Sequence, residues 1–259
     1  MLDAIVETVP SLPPDEGGLA RGVAVGRLAG VETKGDYVVA SDSSILVLVD
    51  GSIPVMPGVT GAGCDVAFDI DQDARYKLRR AVLPVRLWAD PAGATVQQLV
   101  SASPHASITP GKLSFFSVTG SGAAFALNCV AAVDAPLPEK RPGFGTSLAT
   151  GDFDGDGNAD LLVGAPGQHA YVYRGPFPAG GVPTPITIHD TSGIDFGYAV
   201  TALNVDGMPG DEALVADPHA KVGDQERAGR VTAFAWNAAT SSMVAYKTYA
   251  DHKPAANAK

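Results

Sequence analysis

The sequence predicts an all-β fold of radially arranged blades, a β-propeller. Three observations carry that prediction. The 259 residues include 30 glycines and 20 prolines, short apolar runs bounded by turn residues recur throughout, and one segment returns 52 positions later. Glycine and proline both cost stability inside helices, so this composition argues against a helical bundle, and no Gly-X-Y period supports collagen. A hydrophobic fraction of 46 % is enough for a packed core and excludes wholesale disorder. A turn-rich chain of many short strands remains.

The runs Tyr37–Ala40, Ile45–Val49, Val82–Trp88, Leu161–Val163, Tyr171–Tyr173, Ala213–Ala216 and Val231–Trp236 are rich in Val, Ile, Leu and aromatics. Gly, Pro, Asp or Ser bounds most of them, as strand ends require. Residues 113–133 carry no formal charge, which is long enough for a membrane span. They also carry three serines, a threonine, an asparagine and a Gly-Ser-Gly break, so two strands around a turn are expected. Helical periodicity is scarce, with its best candidate a short stretch from Ala94 to Ser103.

The repeat decides among the β architectures. Residues 144–166 read FGTSLATGDFDGDGNADLLVGAP, and residues 196–218 read FGYAVTALNVDGMPGDEALVADP with no gap needed. A further strand-like segment follows each copy, AYVYRG at 170–175 and GRVTAFAW at 229–236. A few strands per period of about 50 residues suit four-stranded blades. Fainter strand–loop–strand units lie at 23–49, 65–88 and 111–133, so about five blade-like units are expected, as a small propeller or part of a larger one of seven blades. The predicted organisation is an N-terminal extension at 1–17, degenerate blades at 18–53, 54–93 and 94–137, clear repeats at 143–195 and 196–245, and a tail or further blade start at 251–259.

The chemistry concentrates in one loop, Asp152-Phe-Asp154-Gly-Asp156-Gly-Asn158-Ala-Asp160. Carboxylates at alternate positions of a glycine-rich loop converge on one point, where without a cation they repel one another. Calcium takes six to eight hard oxygen ligands at about 2.3–2.6 Å. Asp152, Asp154, Asp156 and Asp160 are the expected side-chain ligands, with the Asn158 carbonyl as a fifth. An EF-hand needs an acidic residue at its twelfth position and a following helix; Val163 stands there, inside a strand-like run. In the second copy the corresponding positions hold Asn204, Asp206, Met208 and Glu212, so a weak metal site or none is expected. At 69–77, Asp69, Asp71 and Asp73 are followed by Lys77 at the ninth position, which favours a solvated turn.

Phe144-Gly145, the acidic loop and Gly164-Ala165-Pro166 together resemble the FG-GAP repeat of integrin α-subunit propellers, also found in bacterial surface proteins. The resemblance covers about 143–236. It implies a β-propeller with structural calcium in a hairpin loop, held by Asp152, Asp154, Asp156, Asn158 and Asp160, and an extracellular adhesion or recognition role.

The remaining signals bound the function. A net charge of −10 repels phosphate backbones and argues against nucleic-acid partners. No P-loop, H-E-x-x-H, G-x-S-x-G or dinucleotide fingerprint is present, and the five histidines are scattered. The expectation is therefore a non-enzymatic calcium-binding module at the cell surface or outside the cell, with a protein or carbohydrate ligand or a neighbouring chain as partner. A polysaccharide-active enzyme or lectin, or a scaffold part of a larger surface assembly, is the alternative. The start MLDAIVETVP has no basic or apolar leader region. Cys64 and Cys129 could be bridged in an oxidising compartment or be two buried thiols.

Overall fold

The structure, a computed structural model, describes residues 22–26, 36–40, 45–49, 53–55, 58–64, 81–88, 98–104, 111–119, 126–136, 143–179 and 181–250; up to residue 58 it describes backbone alone. The expected extension at 1–17, the loop at 69–77 and the tail at 251–259 lie outside these residues.

All regular structure in the described residues is β, in four sheets. The first is antiparallel, in chain order β1 (Gly22–Gly26), β2 (Asp36–Ala40), β3 (Ile45–Val49) and β4 (Ile53–Val55). The second is mixed: β5 (Gly58–Thr60), β6 (Val82–Val85), β7 (Gln98–Ser103), β8 (Lys112–Thr119) and β9 (Ala126–Asp134) stand in the order β5-β9-β8-β7-β6, with β5 parallel to β9. The third contains β10 (Ser147–Gly151), β11 (Asp160–Ala165), β12 (His169–Tyr173) and β13 (Ile186–His189). The fourth contains β14 (Ala199–Leu203), β15 (Glu212–Asp217), β16 (Arg230–Asn237) and β17 (Ser242–Ala250). Both of these are antiparallel meanders in chain order, so each copy of the repeat builds one four-stranded sheet.

The sheets meet through β1 against β6, β6 against β10 and β10 against β14. No closed propeller forms among the described residues. Four sheets stand where the sequence suggests about five units, because strands from 54–93 and from 94–137 share the second sheet.

The weak helical signal at Ala94–Ser103 gives way to β7 over Gln98–Ser103, paired with β6 on one side and β8 on the other. Leu99, Val100 and Ala102 are fully buried there, so packing on both faces of a central strand overrides a marginal local preference. The uncharged stretch 113–133 does form two strands, β8 and β9, in antiparallel register. No helix of the described residues is long and apolar enough to cross a membrane.

Among the described residues, two apolar cores lie between sheets. Between the second and third sheets lie Trp88, Phe115 and Phe177, with ring centroids 4.9–5.9 Å apart and edge-to-face, beside Leu113, Phe144, Leu161, Val163 and Tyr171. The Trp88 indole N–H donates to the Pro178 carbonyl, so its one polar group is satisfied. Between the third and fourth sheets lie Leu162, Val172, Phe196, Val215 and Phe234. Alternate residues of β11 thus serve different cores, Leu161 and Val163 one and Leu162 the other, which is why the run LLV reads as continuously apolar.

The Phe-Gly and Gly-Ala-Pro motifs are the two sides of one joint. Gly145 has φ +89° and its N–H donates to the Gly164 carbonyl of the same repeat. Across to the next repeat, a Cβ on Gly164 would lie 2.3 Å from the Gly197 carbonyl oxygen, and one on Gly197 would lie 2.1 Å from the His169 carbonyl oxygen. The backbones touch where a side chain would stand. Phe144 and Phe196 fill the cores beside this joint, edge-to-face against Tyr171 at 5.5 Å and Phe234 at 5.8 Å.

Cys64 and Cys129 are disulfide-bonded with a Cα–Cα distance of 5.7 Å, fastening the segment after β5 to β9.

Gly197 combines φ +91° with a blocked Cβ position, so Gly197→Ala should destabilise the protein by about 3 kcal/mol or more. Gly207 also has positive φ (+76°) but meets nothing within 4 Å, so Gly207→Ala should cost about 1 kcal/mol. Urea unfolding of the two variants measures the difference.

Candidate metal centre

The acidic loop connects β10 to β11 and is curled by two glycines in the left-handed region, Gly155 at φ +73° and Gly157 at φ +86°. Its carboxylates organise the loop by accepting backbone N–H groups. Asp152 Oδ1 accepts from Asp156 at 3.0 Å and Oδ2 from Gly157 at 2.9 Å. Asp154 Oδ1 accepts from Asp156 at 3.3 Å, and Asp156 Oδ1 from Asn158 at 2.8 Å. The chain is thereby wound around its own acidic side chains, and one oxygen from each of Asp152, Asp154 and Asp156 lies within 4.8 Å of the others. Two oxygens bound to one calcium at about 2.3–2.6 Å can be at most about 5 Å apart, so this group has the span such an ion requires. Its donor set, hard carboxylate oxygen, suits the same ion.

The Asp154 carboxylate is enclosed. Its side chain is 2 % exposed and its Oδ2 receives no hydrogen bond; the oxygen is ion-paired with Arg174, which directly follows β12.

Asp160 stands apart from this group. It is fully buried at the start of β11, where Oδ2 accepts from Phe153 N–H at 2.9 Å and Oδ1 from Gly175 N–H at 2.7 Å. The carboxylate fastens the loop's second residue to the chain leaving β12. Burial pushes its pKa up to about 6, the two N–H donors oppose that, and the charges of Asp154 and Asp156 add to it. Asn158 is exposed at the rim, its side-chain amide donating to Asp156 Oδ1 at 3.1 Å.

The second copy uses the same scaffold with a different centre. Glu212 takes the position of Asp160, and its Oε2 accepts from Val205 N–H at 2.7 Å, as Asp160 accepts from Phe153. At the loop's first position Asn204 replaces Asp152. Its amide nitrogen donates to the carbonyls of Met208 and Gly210, while its Oδ1 accepts from Gly207 N–H at 2.7 Å. A neutral NH₂ group thus satisfies carbonyl oxygens of this loop.

The two loops are joined. Asp152 N–H donates to Asp211 Oδ2 at 3.0 Å, and Asp211 N–H donates to the Asp152 carbonyl at 2.7 Å. Neither Arg174 nor Asp211 was visible as a site residue in the sequence. Arg174 follows a strand without belonging to any motif, and Asp211 reads as one more acidic residue beside Glu212.

Two outcomes follow from this geometry. Asn204→Ala removes one acceptor and two donor contacts and should cost about 1–3 kcal/mol, a loss that added calcium does not restore, checked by urea unfolding with and without calcium. For Asp160, the folded pKa of about 6 lies above the ordinary 3.8, so between those values the folded chain binds more protons than the unfolded one. In calcium-free protein its contribution to stability should therefore fall as pH rises through that window. Asp160→Asn should flatten this part of the stability–pH curve.

Comparison with known families gives one match: the FG-GAP repeat family matches residues 144–181. No curated protein sequence matches the chain. The matched span begins at Phe144, takes in the acidic loop, the Gly164-Ala165-Pro166 corner and β12, and so covers every side chain of the carboxylate group. Residues 144–181 of this chain are an FG-GAP repeat.

Proposed function

We propose that the chain is a calcium-stabilised adhesion or recognition module working outside the cytoplasm, without enzymatic activity, in which calcium is structural. The observation that carries this reading is the convergence of Asp152, Asp154 and Asp156 inside an FG-GAP repeat. Asn158 and Asp160 complete the ligand set that the resemblance to integrin-type repeats implies. With an ion bound, the mutual repulsion of the carboxylates is relieved and the β10–β11 loop is pinned at one rim of its sheet. The Cys64–Cys129 disulfide suits an oxidising compartment, and extracellular modules bind calcium with Kd of about 10⁻⁴–10⁻³ M. The ligand is a protein or a carbohydrate, met by loops that differ between such modules.

A second reading, part of a larger surface assembly, is favoured by the fourth sheet. Leu203 on β14 is 55 % exposed, and Val244 and Tyr249 on β17 are 47 % and 39 % exposed. Apolar side chains so displayed on one sheet are the kind that a neighbouring chain or domain covers.

Chelation should lower Tm and calcium should restore it, because an ion bound only to the folded state stabilises it by mass action, by about 2.7 kcal/mol at a hundredfold excess over Kd. Asp154→Ala and Asp156→Ala should lower Tm and abolish the response to EDTA, whereas Asp206→Ala in the second loop should leave that response intact. A melting curve of the native chain that EDTA does not move would sink the structural-calcium reading. Binding to a glycan array against binding to protein-coated surfaces separates the two ligand classes, and depolymerisation of an acidic polysaccharide would establish an enzyme instead.

A further inference from the structure

Arg174 is the one cation in contact with the carboxylate group among the described residues, and it faces two ways. On one side its Nη2 is ion-paired with Asp154 Oδ2. On the other its Cζ lies 4.9 Å from the ring centroid of Trp236, on β16 of the neighbouring sheet. The side chain is 43 % exposed, so it has room to move, while the Asp154 side chain is 2 % exposed and fixed. The Arg174 backbone is held in place, because the next N–H, that of Gly175, donates to Asp160. The guanidinium can therefore swing while its anchor stays.

Asp154 Oδ1 accepts a backbone N–H and Oδ2 has no hydrogen-bond donor, so Oδ2 is the oxygen open to either positive charge. A cation held by Asp152, Asp154 and Asp156 adds like charge beside the Arg174 guanidinium. One of the two must retreat from Asp154. Trp236, which the guanidinium already faces, can hold it once the carboxylate is taken, since an indole face attracts a guanidinium without any carboxylate.

We propose that Arg174 is a built-in rival of calcium at Asp154, and that occupancy of the loop moves its guanidinium off that carboxylate and leaves it held by Trp236 alone, carrying the state of the loop to the neighbouring sheet. This rests on the calcium reading above and goes beyond it: the rivalry sets the affinity, and by reciprocity any partner that engages Trp236 and Arg174 changes the affinity for calcium.

The test is calcium titration of the full chain, followed by calorimetry and by tryptophan emission; the chain has two tryptophans, and Trp88 is buried in the other core. Arg174→Gln should bind calcium about three- to tenfold more tightly than the native chain, because it removes a competing charge from an enclosed carboxylate. Calcium should change the emission of the native chain, and Trp236→Phe should abolish that change while Trp88 remains. Equal calcium affinity in Arg174→Gln and the native chain overturns the rivalry and leaves the calcium reading standing. Calcium binding by Arg174→Gln but not by the native chain supports the rivalry and overturns the calcium reading for the native protein. Binding by neither overturns both. Should Arg174→Gln fail to fold, emission decides: the same calcium-induced change in the native chain and in Trp236→Phe overturns the proposal.

Discussion

Everything in the second half of this molecule depends on one close approach of backbone to backbone. At the joint between the repeats, the Gly164 of one sheet and the Gly197 of the next leave no space for a Cβ. Two sheets can lie this near only if the residues at the contact have no side chains, and the aromatic residue before each Phe-Gly glycine then fills the space beside the joint. The acidic loop lies at the opposite end of β10 and β11 from this joint. Its position relative to the fourth sheet, including the link from Asp152 to Asp211, is inherited from the way the joint sets the two sheets. Core packing and loop placement are thus consequences of one steric constraint.

The second theme is how a loop of fixed shape tolerates different centres. Both repeats retain an acidic residue at the ninth position, Asp160 or Glu212, and in both it accepts the N–H of the loop's second residue. That bond closes the loop. The first position is free to vary, because a carboxylate there gathers N–H groups and leaves negative charge facing inward, whereas an amide supplies its own donors and leaves none. Asn204 in place of Asp152 and Met208 in place of Asp156 separate a loop that gathers three carboxylates from one whose first side chain supplies its own donors.

Much of this was legible in the sequence, for physical reasons. Strands bounded by turn residues, the 52-residue spacing and the convergent aspartates each reflect local chemistry, and local chemistry is written in neighbouring residues. The weak helical signal over β7 was no guide, because the choice between helix and strand there is made by β6 and β8, which flank it in space. The order of the second sheet was equally out of reach: pairing β5 with β9 depends on contacts between residues 58–60 and 126–128, and nothing in either segment names the other. Arg174 escaped notice because its meaning comes from Asp154 and Trp236, both of which reach it only after folding. The two amide contacts of Asp160, with Phe153 and Gly175, were equally out of reach, being a consequence of β12 returning beside the loop.

The disulfide has a topological meaning beyond its compartment. By joining Cys64 to Cys129 across a separation of 65 residues, it makes a covalent ring from the chain that carries β6, β7 and β8. Closing a loop of that length removes disorder from the unfolded chain, a contribution of about 4 kcal/mol on the chain-entropy account. The ring also changes what a protease can do: a single cut anywhere between the two cysteines opens a loop and releases no fragment, so the central strands of the second sheet stay tethered to the rest of the molecule for as long as the bridge survives.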